Sequence, residues 1–291
     1  MDFTFGIITQ GDNDYFINII IDSIIKNNIP NYEIIIVGKT TIRSSANNEM
    51  FTPSGKENET NSFSFPDKSP TERILEDALR PKILSDRCNS GTITVIDFDE
   101  TIKPGWTTKK KNIIFEIAKY ENIVVLHDYI KLSHHWYEGF IKFGNDYEFC
   151  VSKIINVNGS RYRDYTLFPY KVDYLNLNYS SEDIGDYFKD HCLLPYDFEN
   201  NQKTNKYLYI SGAYFIIKKR VALKHKMNEN LIWGKGEDVE YSKRLHNNGI
   251  IIKCNSFSEV MLLKYKEPIH WEREISKEQL LFFTNYCSKE F

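Results

Sequence analysis

Apolar positions along the 291-residue chain change their spacing in a regular order. The opening "FTFGIIT" (3–9) mixes aromatic, β-branched and small residues and predicts a strand. In "YFINIIIDSIIKN" (15–27), Phe16, Ile20 and Ile24 recur every fourth residue with Ile17, Ile21 and Ile25 beside them, which predicts a helix with a broad apolar face. Isoleucine is a modest helix former, so packing of that face must supply what intrinsic propensity does not. "YEIIIVG" (32–38) is a continuous apolar run closed by glycine, the pattern of a buried parallel strand. The chain therefore opens β-α-β.

After Thr40 the pattern collapses. As far as about Pro70 the chain is polar and rich in Ser, Asn, Gly and Pro, which predicts a loop insertion with Phe63 and Phe65 as its candidate anchors. "TERILEDALRPKIL" (71–84) has one or two helical turns before Pro81. "GTITVIDFDE" (91–100) predicts a strand ending in acids, and "PGWTTKKKNIIFEIAKYE" (104–121) a helix turning Ile113, Ile114, Ile117 and Ala118 toward a core. "NIVVLHDYI" (122–130) predicts a central strand. In the second half "WYEGFIKF" (136–143) reads as a helix, and "EFCVSKIINVNG" and "RDYTLFPYKV" as strands around a turn. "YLYISGAYFII" is strand-like across a central Ser-Gly, and "EDVEYSKRLHNNG" is a helix with an Asn-Asn-Gly ending. "IIIKCN" and "SEVMLLKY" are two further strands, and 276–291 is a tail. Alternating strands and helices, with polar residues gathered at strand ends, predict an α/β sheet whose site lies at its carboxyl edge. No period repeats and no linker severs the chain, so one domain over 1–291 is expected.

Composition narrows the partners. With a formal net charge of −3, no broad basic field points to nucleic acid. Five cysteines, widely spaced and without a C-x-x-C pair, argue against a disulfide framework or a cysteine zinc site and for a reducing interior. The opening residues lack a basic stretch followed by an apolar run, and no long uncharged apolar segment follows, so a cytoplasmic place is expected, with peripheral membrane contact left open.

Four stretches carry candidate chemistry. In "WGKGED" (233–238), Trp233 and the glycines Gly234 and Gly236 precede Glu237 and Asp238 at a helix start, where carboxylates either cap the helix or act in a site. In "LHDY", His127 and Asp128 end a strand: either Asp128 holds a divalent ion and His127 gives a hydrogen bond or a ligand bond, or the acid faces solvent and His127 packs in the sheet. "DFDE" puts Asp97 and Asp99 on one side of an extended strand, able to accept from a base or ribose or simply to face solvent. In "TTKKKN", one or two of the three consecutive lysines, Lys110 or Lys111 foremost, can reach a pyrophosphate, although a charge run is usually solvated surface. His270 in "KEPIHWER" is a lone histidine unless loops return it to the Asp128 edge.

These pieces, in this order, resemble the nucleotide-sugar-dependent glycosyltransferases of the GT-A fold, especially the family 2-like group. "WGKGED" resembles the W-G-x-G-E-D element of inverting galactosyl- and N-acetylgalactosaminyltransferases. The resemblance implies a Rossmann-like, mixed but mostly parallel sheet flanked by helices. Residues 1–130 would form the nucleotide-binding half and 131–275 the acceptor and catalytic half. It implies a hexosyltransferase that moves a sugar from a nucleoside-diphosphate donor, UDP-linked by preference, to the hydroxyl of a glycan, glycolipid or other acceptor, with inversion. By position Asp238 becomes the base and Glu237 an acceptor ligand, Trp233 walls the sugar site, and Ser211 and Gly212 lie near the donor sugar. Asp128, with His270 and His127, would hold Mn²⁺ or Mg²⁺, though the motif lacks the second acid of Asp-x-Asp. Asp97 or Asp99 would lie near the base or ribose. A sugar nucleotidyltransferase, which releases pyrophosphate, and a binding module without turnover are the competing readings.

Overall fold

The structure is a computed structural model that describes residues 1–40, 86–88, 91–173, 178–181, 184, 188, 191–267 and 273–289. The loop insertion expected after Thr40 and the helical turns expected over 71–84 lie outside the described residues. The first half forms β1 (Phe3–Ile8), α1 (Asp14–Ile25), β2 (Tyr32–Val37), β3 (Asp86–Cys88), β4 (Gly91–Ile96), α2 (Thr107–Ile117), β5 (Asn122–His127), β6 (Ile130–Leu132), α3 (Trp136–Phe143) and β7 (Phe149–Ile155). The second half forms β8 (Tyr165–Leu167), β9 (Tyr170–Asp173), β10 (Asn178–Ser181), β11 (Cys192–Leu193), α4 (Gln202–Asn205), β12 (Leu208–Ile210) and β13 (Tyr214–Lys218). It continues with α5 (Lys219–Lys224), α6 (Glu237–Asn247), β14 (Ile252–Leu262), β15 (Arg273–Glu274) and α7 (Lys277–Lys289).

A nine-stranded sheet in the order β3-β4-β2-β1-β5-β13-β7-β14-β6 is the frame. β4, β2, β1 and β5 run parallel, as do β7 and β14. β13 is antiparallel to both of its neighbours, and β3 and β6 are antiparallel at the two edges. The sheet is mixed, as expected, with a larger antiparallel share than the apolar runs suggested. β13 enters directly from the neighbouring four-stranded sheet, β12-β8-β11-β15, rather than through a crossover helix. One consequence sets the site. β1, β5, β7 and β14 all end, and β13 begins, at a single edge of the sheet.

Apolar periodicity explains the packing. Phe16, Ile17, Ile20, Ile21 and Ile24 of α1 are buried, while Ile25 turns out. All six residues of β1 and of β5 are buried, as continuous apolar runs covered on both faces require. On α2, Ile113, Ile114 and Phe115 face the core, and Ala118 just past its end is buried too. Ile117, expected inside, is exposed because the helix ends there and Ala118 turns to an extended backbone. Gly38, which closes β2, has φ +139°, and a β-carbon there would lie 2.0 Å from the Thr9 carbonyl oxygen. Only glycine lets the ends of β1 and β2 approach this closely.

Three other expectations change. "YLYISGAYFII" is two strands, β12 and β13, in different sheets, because the chain turns at Ser211-Gly212. "IIIKCN" and "SEVMLLKY" merge into the single strand β14, with a register shift between Asn255 and Glu259. The expected tail is largely the helix α7, whose Phe283 and Cys287 are buried. No helix among the described residues is long and apolar enough to cross a membrane.

Candidate active site

At the shared edge, two hollows adjoin. The smaller, about 260 Å³, lies between the ends of β1 and β5 and is lined by Thr9, Asn13, Lys110, Asp128, Lys264 and Lys266 among others. This is where strand order reverses about β1, the usual crevice for a ligand in an open α/β sheet. The larger, about 540 Å³, lies beneath the start of β13 and the start of α6. His127, Tyr129, Trp233 and Lys266 line both, so the hollows form one cleft.

Asp128 follows β5 directly, and its backbone N–H bonds the Ile8 carbonyl. Its carboxylate is buried and fixed at both oxygens: Thr9 Oγ1 donates to Oδ2 at 2.7 Å and Asn13 Nδ2 donates to Oδ1 at 2.9 Å. His127 is buried beside it. Burial first, and then the charges of Lys111, Lys110 and Lys266, hold its pKa well below the ordinary value, so the ring is neutral at physiological pH. Its Nε2 is buried with no hydrogen-bond partner and borders the junction of the hollows.

The consecutive lysines of α2 diverge, because successive helix positions point about 100° apart. Lys109 meets Glu229 at 3.2 Å. Lys110 is buried, donates to the Thr9 carbonyl at 2.6 Å and pairs with Glu100. Lys111 is fully buried, and its Nζ has no hydrogen-bond partner; it lies over the Phe215 ring and near the charges of Glu237 and Asp238. Burial lowers its pKa, and those two carboxylates oppose the fall.

Gly236, with φ +69°, precedes α6 and turns Glu237 and Asp238 into the larger hollow. Asp238 Oδ2 accepts from the Gly212 backbone N–H at 3.0 Å, Oδ1 accepts from Val239 N–H at 2.9 Å, and an Arg163 nitrogen lies 3.9 Å from Oδ2. Glu237 is 5% exposed. Burial, and then the charge of Asp238, push its pKa up to about 7, against the pull of Lys111 and Arg163. The two acids thus carry different chemistry. Asp238 is held by backbone donors in one orientation, with lone pairs left for a third partner, whereas Glu237 holds or yields a proton near neutrality.

Of the expected site residues, the cleft brings together His127, Asp128, Lys110, Ser211, Gly212, Trp233, Gly234, Gly236, Glu237 and Asp238, with Lys111 behind the acids. Ser211 is buried, and its Oγ accepts from Ala213 N–H. Trp233 is 61% exposed, as a wall between the hollows. Asp97 and Asp99 are exposed and line neither hollow; both the backbone N–H and the hydroxyl of Thr101 donate to Asp99 Oδ1, and those bonds lower its pKa. His270 lies outside the described residues.

Several lining residues had no signal in the motifs. Tyr162, Phe168, Tyr170, His191 and Tyr209 wall the larger hollow, with the Phe168 and His191 ring centroids 4.5 Å apart. Arg163 shares that wall at φ +31°, a conformation that costs an L residue free energy and is kept where neighbours impose it. The neighbour is Asp164, fully buried and bonded by Arg161, Tyr196 and the backbone of Ile154 and Tyr165. Burial opposes the Arg163 charge, but Tyr209 and Asp238 outweigh it and hold its pKa well above the ordinary value.

Mn²⁺ or Mg²⁺ at Asp128 meets a crowded donor set. Each Asp128 oxygen accepts one hydrogen bond and keeps a lone pair, Asp12 lines the same hollow, and Lys110, Lys264 and Lys266 stand around them. His127 Nε2 is the free donor atom, and no group of three or more His, Cys, Asp or Glu suited to a metal occurs among the described residues. These residues by themselves do not fit a divalent ion.

No known family matches the chain by its sequence profile, and no curated protein matches it by sequence. Solved structures do match by shape. GalNAc-T7, crystallised with UDP, GalNAc and Mn²⁺, is similar at TM-score 0.50 and 13% identity, over 99% of this chain and 48% of that one. This chain shares a mixed α/β fold with a glycosyltransferase. S. aureus TarS 1–349 is similar at TM-score 0.44 and 13% identity, over 99% of this chain and 64% of that one. The same TarS fragment in complex with UDP-GlcNAc gives 0.42 and 13%, over 100% and 62%. The chain spans less than two thirds of the length of each. At these identities the likeness is one of fold.

Proposed function

We propose that the protein is a glycosyltransferase that moves a hexose from a nucleoside-diphosphate sugar, UDP-linked by preference, to an acceptor hydroxyl with inversion. One observation carries this reading: the Glu237–Asp238 pair and the Asp128 strand end line adjoining hollows of about 540 and 260 Å³ that share His127, Tyr129, Trp233 and Lys266. Donor and acceptor can therefore meet between them. The α/β fold shared with GalNAc-T7, which was crystallised with UDP, supports the choice of donor.

In this reading the diphosphate lies in the smaller hollow and the sugar at the junction, against Trp233 and the neutral His127. The acceptor enters the larger hollow, where the aromatic wall offers flat apolar faces to a saccharide. Asp238 takes the proton of the acceptor hydroxyl as its oxygen bonds the anomeric carbon from the side opposite the phosphate. The bond from that carbon to the phosphate oxygen breaks, and the nucleoside diphosphate leaves with the electron pair. Asp238 suits the base role because backbone donors fix its direction, and position matters before pKa. Glu237 binds the acceptor as neighbour. The expected Mn²⁺ or Mg²⁺ has no step in this account.

The test is incubation of the protein with a panel of nucleotide sugars and a mixed saccharide acceptor pool, followed by mass analysis. Free nucleoside diphosphate with an acceptor heavier by one hexose or N-acetylhexosamine is expected. Pyrophosphate release would instead indicate a nucleotidyltransferase, and donor left unconsumed a binding module.

A further inference from the structure

The smaller hollow is lined by three lysines, Lys110, Lys264 and Lys266, and by two acids, Asp12 and Asp128. Beyond the end of β14 the chain runs along Tyr129, whose carbonyl accepts from Leu263 N–H at 2.8 Å. Lys264 and Lys266 stand two residues apart just past the strand, and both line the smaller hollow. Both ammonium groups lie over the Tyr129 ring, at 5.0 and 4.6 Å from its centroid. Neither position is left to chance. Lys264 Nζ donates to Asn13 Oδ1 at 2.8 Å, and Asn13 in turn donates to Asp128. The backbone of Lys266 is clamped by the fully buried Asn156, which accepts from its N–H at 3.2 Å and donates to its carbonyl at 2.5 Å.

The two ammonium groups line one hollow and repel each other. Burial lowers the Lys266 pKa, and Lys264 lowers it further, while Asp128 opposes the fall. An anion bound in this hollow relieves that repulsion, whereas a divalent cation aggravates it. Asp128 lines the same hollow, and each of its oxygens accepts one hydrogen bond, from Thr9 or from Asn13.

We infer that Lys264 and Lys266, at the rim of the smaller hollow, seat the diphosphate of the nucleotide donor and neutralise the charge that builds on it as it leaves, so that donor binding needs no divalent ion. This rests on the glycosyltransferase reading for the identity of the anion. Fixed ammonium groups aimed at a leaving group supply the same kind of field as a metal, without the reorganisation water would need. No bond to either lysine forms or breaks, and the proton of the acceptor still goes to Asp238.

The experiment is calorimetric titration of the protein with UDP, GDP and ADP, each in EDTA and again in excess MnCl₂, with Lys264→Ala, Lys266→Ala and Lys266→Arg beside the native chain. Thermal unfolding of each variant, read in parallel, establishes that it folds. At least one diphosphate should bind in EDTA with a Kd within about threefold of its Mn²⁺ value. Each alanine variant should weaken it about tenfold or more, and Lys266→Arg should restore most of the loss. Binding only in Mn²⁺, or alanine variants that bind as the native chain does, overturns the lysine assignment and leaves the transferase reading standing. No binding of any diphosphate in either condition overturns both.

Discussion

The backbone N–H of Gly212 donates to Asp238 Oδ2 at 3.0 Å and so ties the turn between β12 and β13 to the first turn of α6. The tie is tight. A β-carbon at Gly212 would lie 3.1 Å from Lys111 Nζ, 3.2 Å from Asp238 Cβ and 3.3 Å from Glu237 Oε1.

Gly212→Ala should therefore displace the acid pair by a few tenths of an ångström without unfolding the chain. The neighbours that must yield are side chains, and the expected loss of stability is about 1–2 kcal/mol, the usual cost of an extra methyl in a packed place. Turnover should fall by about tenfold or more, because a small misplacement of a reacting group is costly. Melting temperature and steady-state turnover, measured together, check this; native turnover would free Asp238 from the geometry assigned to it.

Asp238→Asn keeps an oxygen to accept the Gly212 hydrogen bond and removes the basicity. Nucleoside-diphosphate binding should change by no more than about twofold, while kcat falls by about 10²–10⁴. Calorimetry and kinetics on one preparation separate the two effects. Unchanged kcat would remove the base role.

Much of this frame was legible in the chain. The apolar runs of β1, β2 and β5 are continuous because the strands are covered on both faces, and the Trp-Gly-x-Gly-Glu-Asp spacing marked a turn delivering acids to a helix start. What escaped notice did so for physical reasons. Lys264 and Lys266 sit in a run, "KYKE", that reads as solvated surface, and long-range bonds hold them at the site: Asn13 accepts from Lys264, and Asn156, 110 residues away, clamps the Lys266 backbone. Arg163 and the wall residues Tyr162, Phe168 and Tyr170 lie in "SRYRDYTLFPY", whose aromatic alternation predicts half-buried strands equally well. Asp97 and Asp99 looked equivalent to Asp128 because all three follow β-branched or apolar runs. A strand-end acid becomes a site residue only when neighbouring strand ends converge on it, as β1 does on Asp128, and that is a property of sheet order.

The raised pKa of Glu237 makes stability depend on pH. Its ordinary value is 4.5 and its folded value about 7, so between these limits the folded chain holds a proton that the unfolded chain has lost. Stability must then fall as pH rises through this window, by about 3 kcal/mol from this group alone. Glu237→Gln removes the dependence. Its melting temperature should exceed that of the native chain above pH 7, with the gap closing toward pH 5. Parallel melting curves at all pH values would show that Glu237 is ionised as readily in the folded chain as in the unfolded one.

Lys111 offers the last test, because it acts on the acids without facing the cleft. Its ammonium is fully buried with no hydrogen-bond partner, and the charges of Glu237 and Asp238 oppose the fall that burial imposes on its pKa. The attraction is mutual, so Lys111 also favours the ionised form of Glu237. Lys111→Met keeps the apolar stem and deletes the charge. Desolvation of the amine is then relieved, so the variant should be about as stable as the native chain at low pH, where Glu237 is neutral and loses nothing. Above pH 7 it should be less stable, because ionised Glu237 and Asp238 face each other uncompensated. The acid limb of kcat/KM should move to higher pH, since Glu237 beside the base loses its proton later, while turnover on the alkaline plateau stays within about threefold. A purely structural lysine would change the melting temperature and leave the limb where it was; a fixed limb in the Lys111→Met profile therefore removes Lys111 from the electrostatics of the acids.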